Sequence, residues 1–171
     1  MYKNITKPHK FKVDLFKDNR GHLLTVDLQS NIFLKKKFEY ELFSYSSKKN
    51  IFRGMHFQKP PSSQHKLLIL IKGRIMDYLI NIDNKSQFGK IYKFEMNTGD
   101  ALWIPEGFCH GFTTLSKEVL INYKLTCKFS KKNYCGILPE KFGLRLNKKY
   151  RSNQDKSWAT SLDNLKKINW D

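Results

Sequence analysis

Gly99-Asp-Ala-Leu-Trp-Ile-Pro105-Glu-Gly107-Phe-Cys-His110 reads as a strand, a tight turn and a second strand that aims a histidine inward. Pro105 has no N–H to give a ladder and belongs at a strand end. Gly107, like Gly73 upstream, supplies a turn conformation that other residues enter only at a cost. Arg53-Gly-Met-His56-Phe-Gln58 opens another such unit, which continues through Lys66-Leu-Leu-Ile-Leu-Ile-Lys72-Gly73. Leu67–Ile71 is apolar on both faces, as expected where a barrel interior backs onto a packed layer or a subunit contact.

Working outward, residues 11–16 alternate apolar and polar and predict a strand. Asp18-Asn19-Arg20-Gly21 predicts a turn, and His22–Leu28 resumes extended structure. Lys37–Tyr45 predicts an aromatic-rich strand, 74–83 and Phe88–Glu95 a hairpin over Asn84-Lys-Ser-Gln, and Val119–Thr126 a further strand. Short strands at near-even spacing, separated by Gly, Pro and Asn, argue for an all-β sandwich or barrel. Trp158, Leu162, Leu165 and Ile168 recur at helical spacing, so 157–168 predicts a short C-terminal helix closing one barrel end. No repeat or linker interrupts the chain, and residues 1–171 read as a single domain.

The N-terminus MYKNITKPHK has no apolar core, and no apolar run approaches the roughly 18 residues a membrane span needs. Neither a signal peptide nor a membrane is expected. Three cysteines without C-x-x-C spacing suit a reducing cytoplasm better than a disulfide framework or a zinc site. Cys109 adjoins His110, but neighbours on a strand face opposite ways, so it reads as core and not as a nucleophile. The net charge of +17 raises nucleic acid as a partner. Five of the 32 basic residues are arginine, and the lysines are spread along the whole chain, without a recognition helix, RNP strand or finger. A solvated lysine-rich surface follows, with no nucleic-acid partner. Arg20 and Arg53 stand apart: both sit in Arg-Gly pairs at strand starts, and arginine suits bidentate phosphate binding.

The spacing G-x5-P-x-G-x2-H over 99–110 resembles the second signature of the cupin superfamily, double-stranded β-helix (jelly-roll) barrels. Where the first cupin signature carries metal ligands, this chain has His56, Gln58 and Lys66. An ammonium at the carboxylate position repels a divalent cation, and a carboxamide replaces imidazole poorly. An anion-holding pocket without metal or other cofactor is expected.

From Phe16 to Cys127 the chain resembles the dTDP-4-dehydrorhamnose 3,5-epimerases, metal-free cupin-fold enzymes of nucleotide-sugar metabolism. Asp18-x-Arg20-Gly21, Arg53-Gly-Met-His56-Phe-Gln58, Lys66-Leu, Phe88-Gly-Lys, Trp103–Phe112 and Tyr123-Lys carry the resemblance, in the family's order and spacing. It implies proton removal α to the ketone of a 4-keto-6-deoxy sugar, with the proton returned on the opposite face. By the same resemblance His56 matches the base, Asp155 its orienting carboxylate, Lys66 the cation at the enolate oxygen and Tyr123 the opposite-face acid. The usual phenol pKa of about 10 suits a donor at neutral pH. Asp155 stands in a short match and reads equally as a surface turn residue. His110, Arg53 and Gln58 match the binding region, and Arg20 matches a residue presented by the partner in the family's homodimers.

The binding shell departs from the family's pattern. Thr25 replaces a glutamate, Glu41-Leu-Phe43 a Gln-x-Asn, Phe129 a tyrosine and Tyr134 a glutamate, and a Trp-Asn-Asp segment is missing after Leu138. Glu41 and Phe129 therefore mark substrate-binding positions whose chemistry has changed. Three readings stay open: the 3,5-epimerase; a mono-epimerase or 3,4-ketoisomerase of the same fold on another nucleotide sugar; and a non-catalytic sugar-nucleotide-binding cupin.

Overall fold

The computed structural model describes residues 6–27, 37–83 and 87–170. Its strands are β1 (His9–Lys12), β2 (Asp14–Asp18), β3 (Gly21–Thr25), β4 (Tyr40–Ser46), β5 (Phe52–Gln58) and β6 (Lys66–Lys72). They continue as β7 (Arg74–Asn81), β8 (Ile91–Asn97), β9 (Asp100–Ile104), β10 (Phe108–Thr114), β11 (Val119–Leu125) and β12 (Tyr134–Gly136). A 3-10 turn at Pro139–Phe142 and two short helices, α1 (Asn153–Ser157) and α2 (Leu162–Lys166), complete the described elements.

Two five-stranded sheets run in the orders β1-β9-β6-β11-β4 and β12-β5-β10-β7-β8, with β2 and β3 paired as a separate hairpin. From β4 onward the chain weaves between the two sheets, which is the jelly-roll pattern expected from the sequence. The faces turned towards each other share one core, in which Leu68 and Leu70 of β6 meet Leu79 of β7, Phe112 of β10 and Ile121 of β11.

The doubly apolar character of β6 follows from this packing. Its other parity, Leu67 and Ile69, packs with Trp103 beneath Phe11 and Val13 of the N-terminal segment. The opposite sheet is backed by the C-terminal segment, where Phe57, Ile80 and Cys109 pack with Leu144 and Leu165. Cys109 is fully buried in that layer, as its strand parity requires. Gly73 and Gly107 both occupy positive φ.

Three expectations shift. The strand expected over 11–16 divides at Val13, whose N–H donates to Gly99 O at 3.0 Å, so β1 joins the barrel while β2 departs into the hairpin. Lys37–Glu39 lies outside the strand that starts at Tyr40. The helix expected over 157–168 shortens to α2, capped by Ser161 accepting the N–H of Asn164, and a separate helix α1 precedes it, capped by Ser152 accepting the N–H of Asp155. Trp158 leaves the first helix with ψ 119. The hairpin of β7 and β8 forms as expected, while Asn84–Ser86 and Leu28 fall outside the described residues. None of the described helices is long and apolar enough to cross a membrane.

Candidate active site

Pairing of β5 with β10 sets His56 and His110 opposite each other. The backbones come unusually close beside them. A Cβ on Gly54, which has φ +133, would lie 2.5 Å from Gly111 Cα, and one on Gly111 would lie 2.8 Å from Arg53 O. Only glycine at both places permits that approach, and the register shifts between His110 and Phe112.

The two imidazoles each meet a carboxylate. His56 Nε2 lies 2.6 Å from Asp155 Oδ1, a contact that joins β5 to α1 across 99 residues of sequence. Burial disfavours the Asp155 anion. The hydrogen bond and charge of His56, the Gly54 N–H and Ser152 outweigh that and hold its carboxyl below the ordinary value. His110 Nε2 lies 2.8 Å from Asp77 Oδ2 in a fully buried pair. Burial pushes the Asp77 carboxyl up, against the opposing pull of His110 and Lys66.

Lys66 opens β6 and lines the same pocket as His110, within electrostatic reach of the Asp77 carboxylate. Burial lowers its pKa, partly offset by the Cys109 and Asp77 charges. Tyr123 on β11 packs edge-on against His110 with ring centroids 5.9 Å apart. Its phenol is pushed well above the ordinary value, by burial first and then by the Asp77 charge.

A pocket of about 860 Å³ is lined by His56, Lys66, His110, Tyr123, Asp155 and Arg53 together. Phe129 and Gln58 also line it. The Gln58 amide is already engaged with backbone: Nε2 donates to Ser62 O and Lys128 O, and Oε1 accepts from Ser130 N. It pins two loops of the pocket wall instead of offering free donors to a ligand. Arg53 donates to Ser46 Oγ and Tyr45 O from the pocket edge. Among the described residues no group of His, Cys, Asp and Glu side chains could hold a metal ion.

Two expected binding residues lie away from this pocket. Glu41 faces the other side of its strand and accepts from Lys124 Nζ at 2.7 Å and Asn122 Nδ2 at 2.8 Å. Alternation explains this, since Leu42 and Ser44 are the β4 residues that line the pocket. Arg20 sits at the tip of the β2–β3 hairpin, ion-paired with Asp18.

Conversely, Asp77 was not among the expected site residues, and Tyr134 was expected only as a changed position of the binding shell. Asp77 shares its parity with the buried Ile75 and Leu79, and a carboxylate at such a position needs a partner, a signal visible in the strand itself. Tyr134 packs on His56 at 5.2 Å and on Phe129 at 5.1 Å, a proximity that depends on β12 pairing with β5 and has no local signature.

An all-β jelly roll whose pocket gathers a His–Asp pair, a half-buried lysine and a phenol defines a cupin-type enzyme of the isomerase class. A family model described as dTDP-4-dehydrorhamnose 3,5-epimerase matches residues 3–163, and the chain belongs to that family. The dTDP-4-dehydrorhamnose 3,5-epimerase of Shigella flexneri is 34% identical over 135 residues, covering 75% of this chain and 74% of the relative. Alignments with several further curated relatives span about half of each relative's length. A crystal structure of the Bacillus anthracis enzyme with TDP and PPi bound superposes with a TM-score of 0.80 at 26% identity, over 91% of this chain and 95% of that one. The Sulfolobus tokodaii enzyme gives a TM-score of 0.78 at 28% identity, over 99% and 97%.

Proposed function

We propose that this chain epimerises C3 and C5 of a nucleoside-diphosphate 4-keto-6-deoxyhexose without metal or cofactor. The observation that carries the reading is the His56–Asp155 contact of 2.6 Å, in one pocket with Lys66 and Tyr123. The substrate's own 4-keto group acidifies the adjacent C–H bonds. His56 takes the proton, while Asp155 fixes its tautomer and stabilises the imidazolium that forms. Negative charge moves onto the ketone oxygen, where the Lys66 ammonium stabilises the enolate in a desolvated setting that strengthens the attraction. Tyr123 returns a proton to the opposite face, and its raised pKa keeps the phenol protonated until then. His110, held by Asp77, and Arg53 at the pocket edge bind the substrate.

Incubation with dTDP-4-keto-6-deoxyglucose in heavy water is expected to place deuterium at C3 and C5 of the product, read by NMR. Exchange at neither carbon overturns the reading. The aromatic residues Phe129 and Tyr134 in the pocket wall favour one variation, a changed sugar or nucleotide with a single inverted centre. Exchange at C3 alone would select it.

A homodimer in the cytoplasm completes the proposal. Supporting it are the exposed Phe43 and Tyr45 on the edge strand β4, the exposed Phe16 and Leu23 on the hairpin, and three free cysteines. In the dimer the hairpin carries Arg20 into the partner's pocket as a substrate ligand.

A further inference from the structure

Gly136 is the register partner of His56 where β12 pairs with β5. A methyl group on it would lie 2.2 Å from Trp158 Cε2 and 2.4 Å from Trp158 Cδ2 and Nε1. The indole therefore occupies the notch that the missing side chain leaves. From there it meets His56 edge-on, centroids 5.9 Å apart at 66°, and Tyr134 at 5.5 Å and 74°. Its buried Nε1–H finds no acceptor among the described residues, so packing alone holds the ring. Such a stranded donor is a cost that an apolar ring of similar size would avoid.

Trp158 directly follows α1, three residues beyond Asp155. A five-residue helix has no stability of its own, so anchors at its two ends must set its position. On the N-terminal side buried Arg151 is tied to Glu140 and to Leu146 O. On the C-terminal side the anchor is the indole in its notch.

We propose that Trp158 is a positioning residue: seated against Gly136, it fixes α1 so that the Asp155 carboxylate holds the His56 ring in its reactive orientation. This rests on the reading of His56 and Asp155 as the proton-transfer pair. Loss of the indole lets α1 drift, and small misplacements of a catalytic group cost up to about 100-fold in rate.

The test is a cycle of Trp158→Leu, Gly136→Ala and the double variant in the full chain, with Trp158→Phe as the conservative change and Asp155→Asn as the reference. Trp158→Leu is expected to lower kcat roughly 10- to 100-fold while KM stays within about twofold. It is also expected to displace the acid limb of the kcat/KM profile in the direction that Asp155→Asn displaces it. Trp158→Phe should recover most of the rate. Gly136→Ala should be impaired alone yet add nothing to Trp158→Leu, because both vacate one seat. Wild-type kcat and pH profile in Trp158→Leu, with Asp155→Asn impaired, overturns the proposal and leaves the pair intact. Independent, multiplying effects of the two changes overturn it as well. If Trp158→Leu melts below the assay temperature, Gly136→Ala and Trp158→Phe decide by the same criteria. Wild-type turnover in Asp155→Asn removes the pair and this inference with it.

Discussion

Lys66 and Asp155 carry the two pH dependences of the site. Burial depresses the Lys66 ammonium below the ordinary lysine value, so the charged form is lost earlier as pH rises. The Tyr123 phenol moves the other way and stays protonated through that window. The alkaline fall in kcat is therefore expected to belong to Lys66 and to begin below the usual lysine range. Lys66→Met should lower kcat by roughly 100-fold or more and flatten that limb, as steady-state profiles would show. Asp155 has a depressed pKa in the fold, so its ionisation stabilises the native state above the unfolded value and the gain disappears as pH falls through the folded one. Asp155→Asn is expected to melt at lower temperature than wild type at pH 7, with the gap closing on acidification. A gap independent of pH would show that the carboxylate charge contributes nothing to stability.

At the scale of elements, β5 and β10 decide the site, and Gly54 and Gly111 decide how closely they lie. Gly111→Ala would set a methyl 2.8 Å from both Arg53 O and Met55 Sδ. Overpacking of this kind costs roughly 1–3 kcal/mol, and Gly54→Ala adds about 1–2 kcal/mol for its left-handed backbone. Thermal melts should rank Gly54→Ala below Gly111→Ala and both below wild type. The strands themselves were largely legible in the chain: apolar runs and Gly/Pro punctuation located β6, β7, β10 and β11, and parity placed Cys109 in the core. Glu41 was misplaced although the same rule would have turned it away from Leu42 and Ser44. The true extent of the C-terminal helix escaped because Trp158 and Ile168 continue the apolar spacing of Leu162 and Leu165 although both lie outside α2. The Trp158–Gly136 seat depends on a strand pairing that no local pattern encodes.

For the whole molecule, charge and assembly set the expectations. A net charge of +17 draws an anionic nucleotide sugar towards the pocket, so kcat/KM is expected to fall with added salt while kcat holds. A salt-insensitive kcat/KM would assign the lysines to solubility alone. Sedimentation should report a dimer that Phe43→Glu weakens, and Arg20→Ala should raise KM without shifting the oligomer. The contact between His56 and Asp155 reaches across 99 residues, from the middle of the barrel almost to the last helices. Under the proposed mechanism, a ribosome must therefore complete α1 before the first turnover. A chain stopped before α1 would carry the histidine without its carboxylate, and would also leave Phe57 and Ile80 without the cover of Leu165.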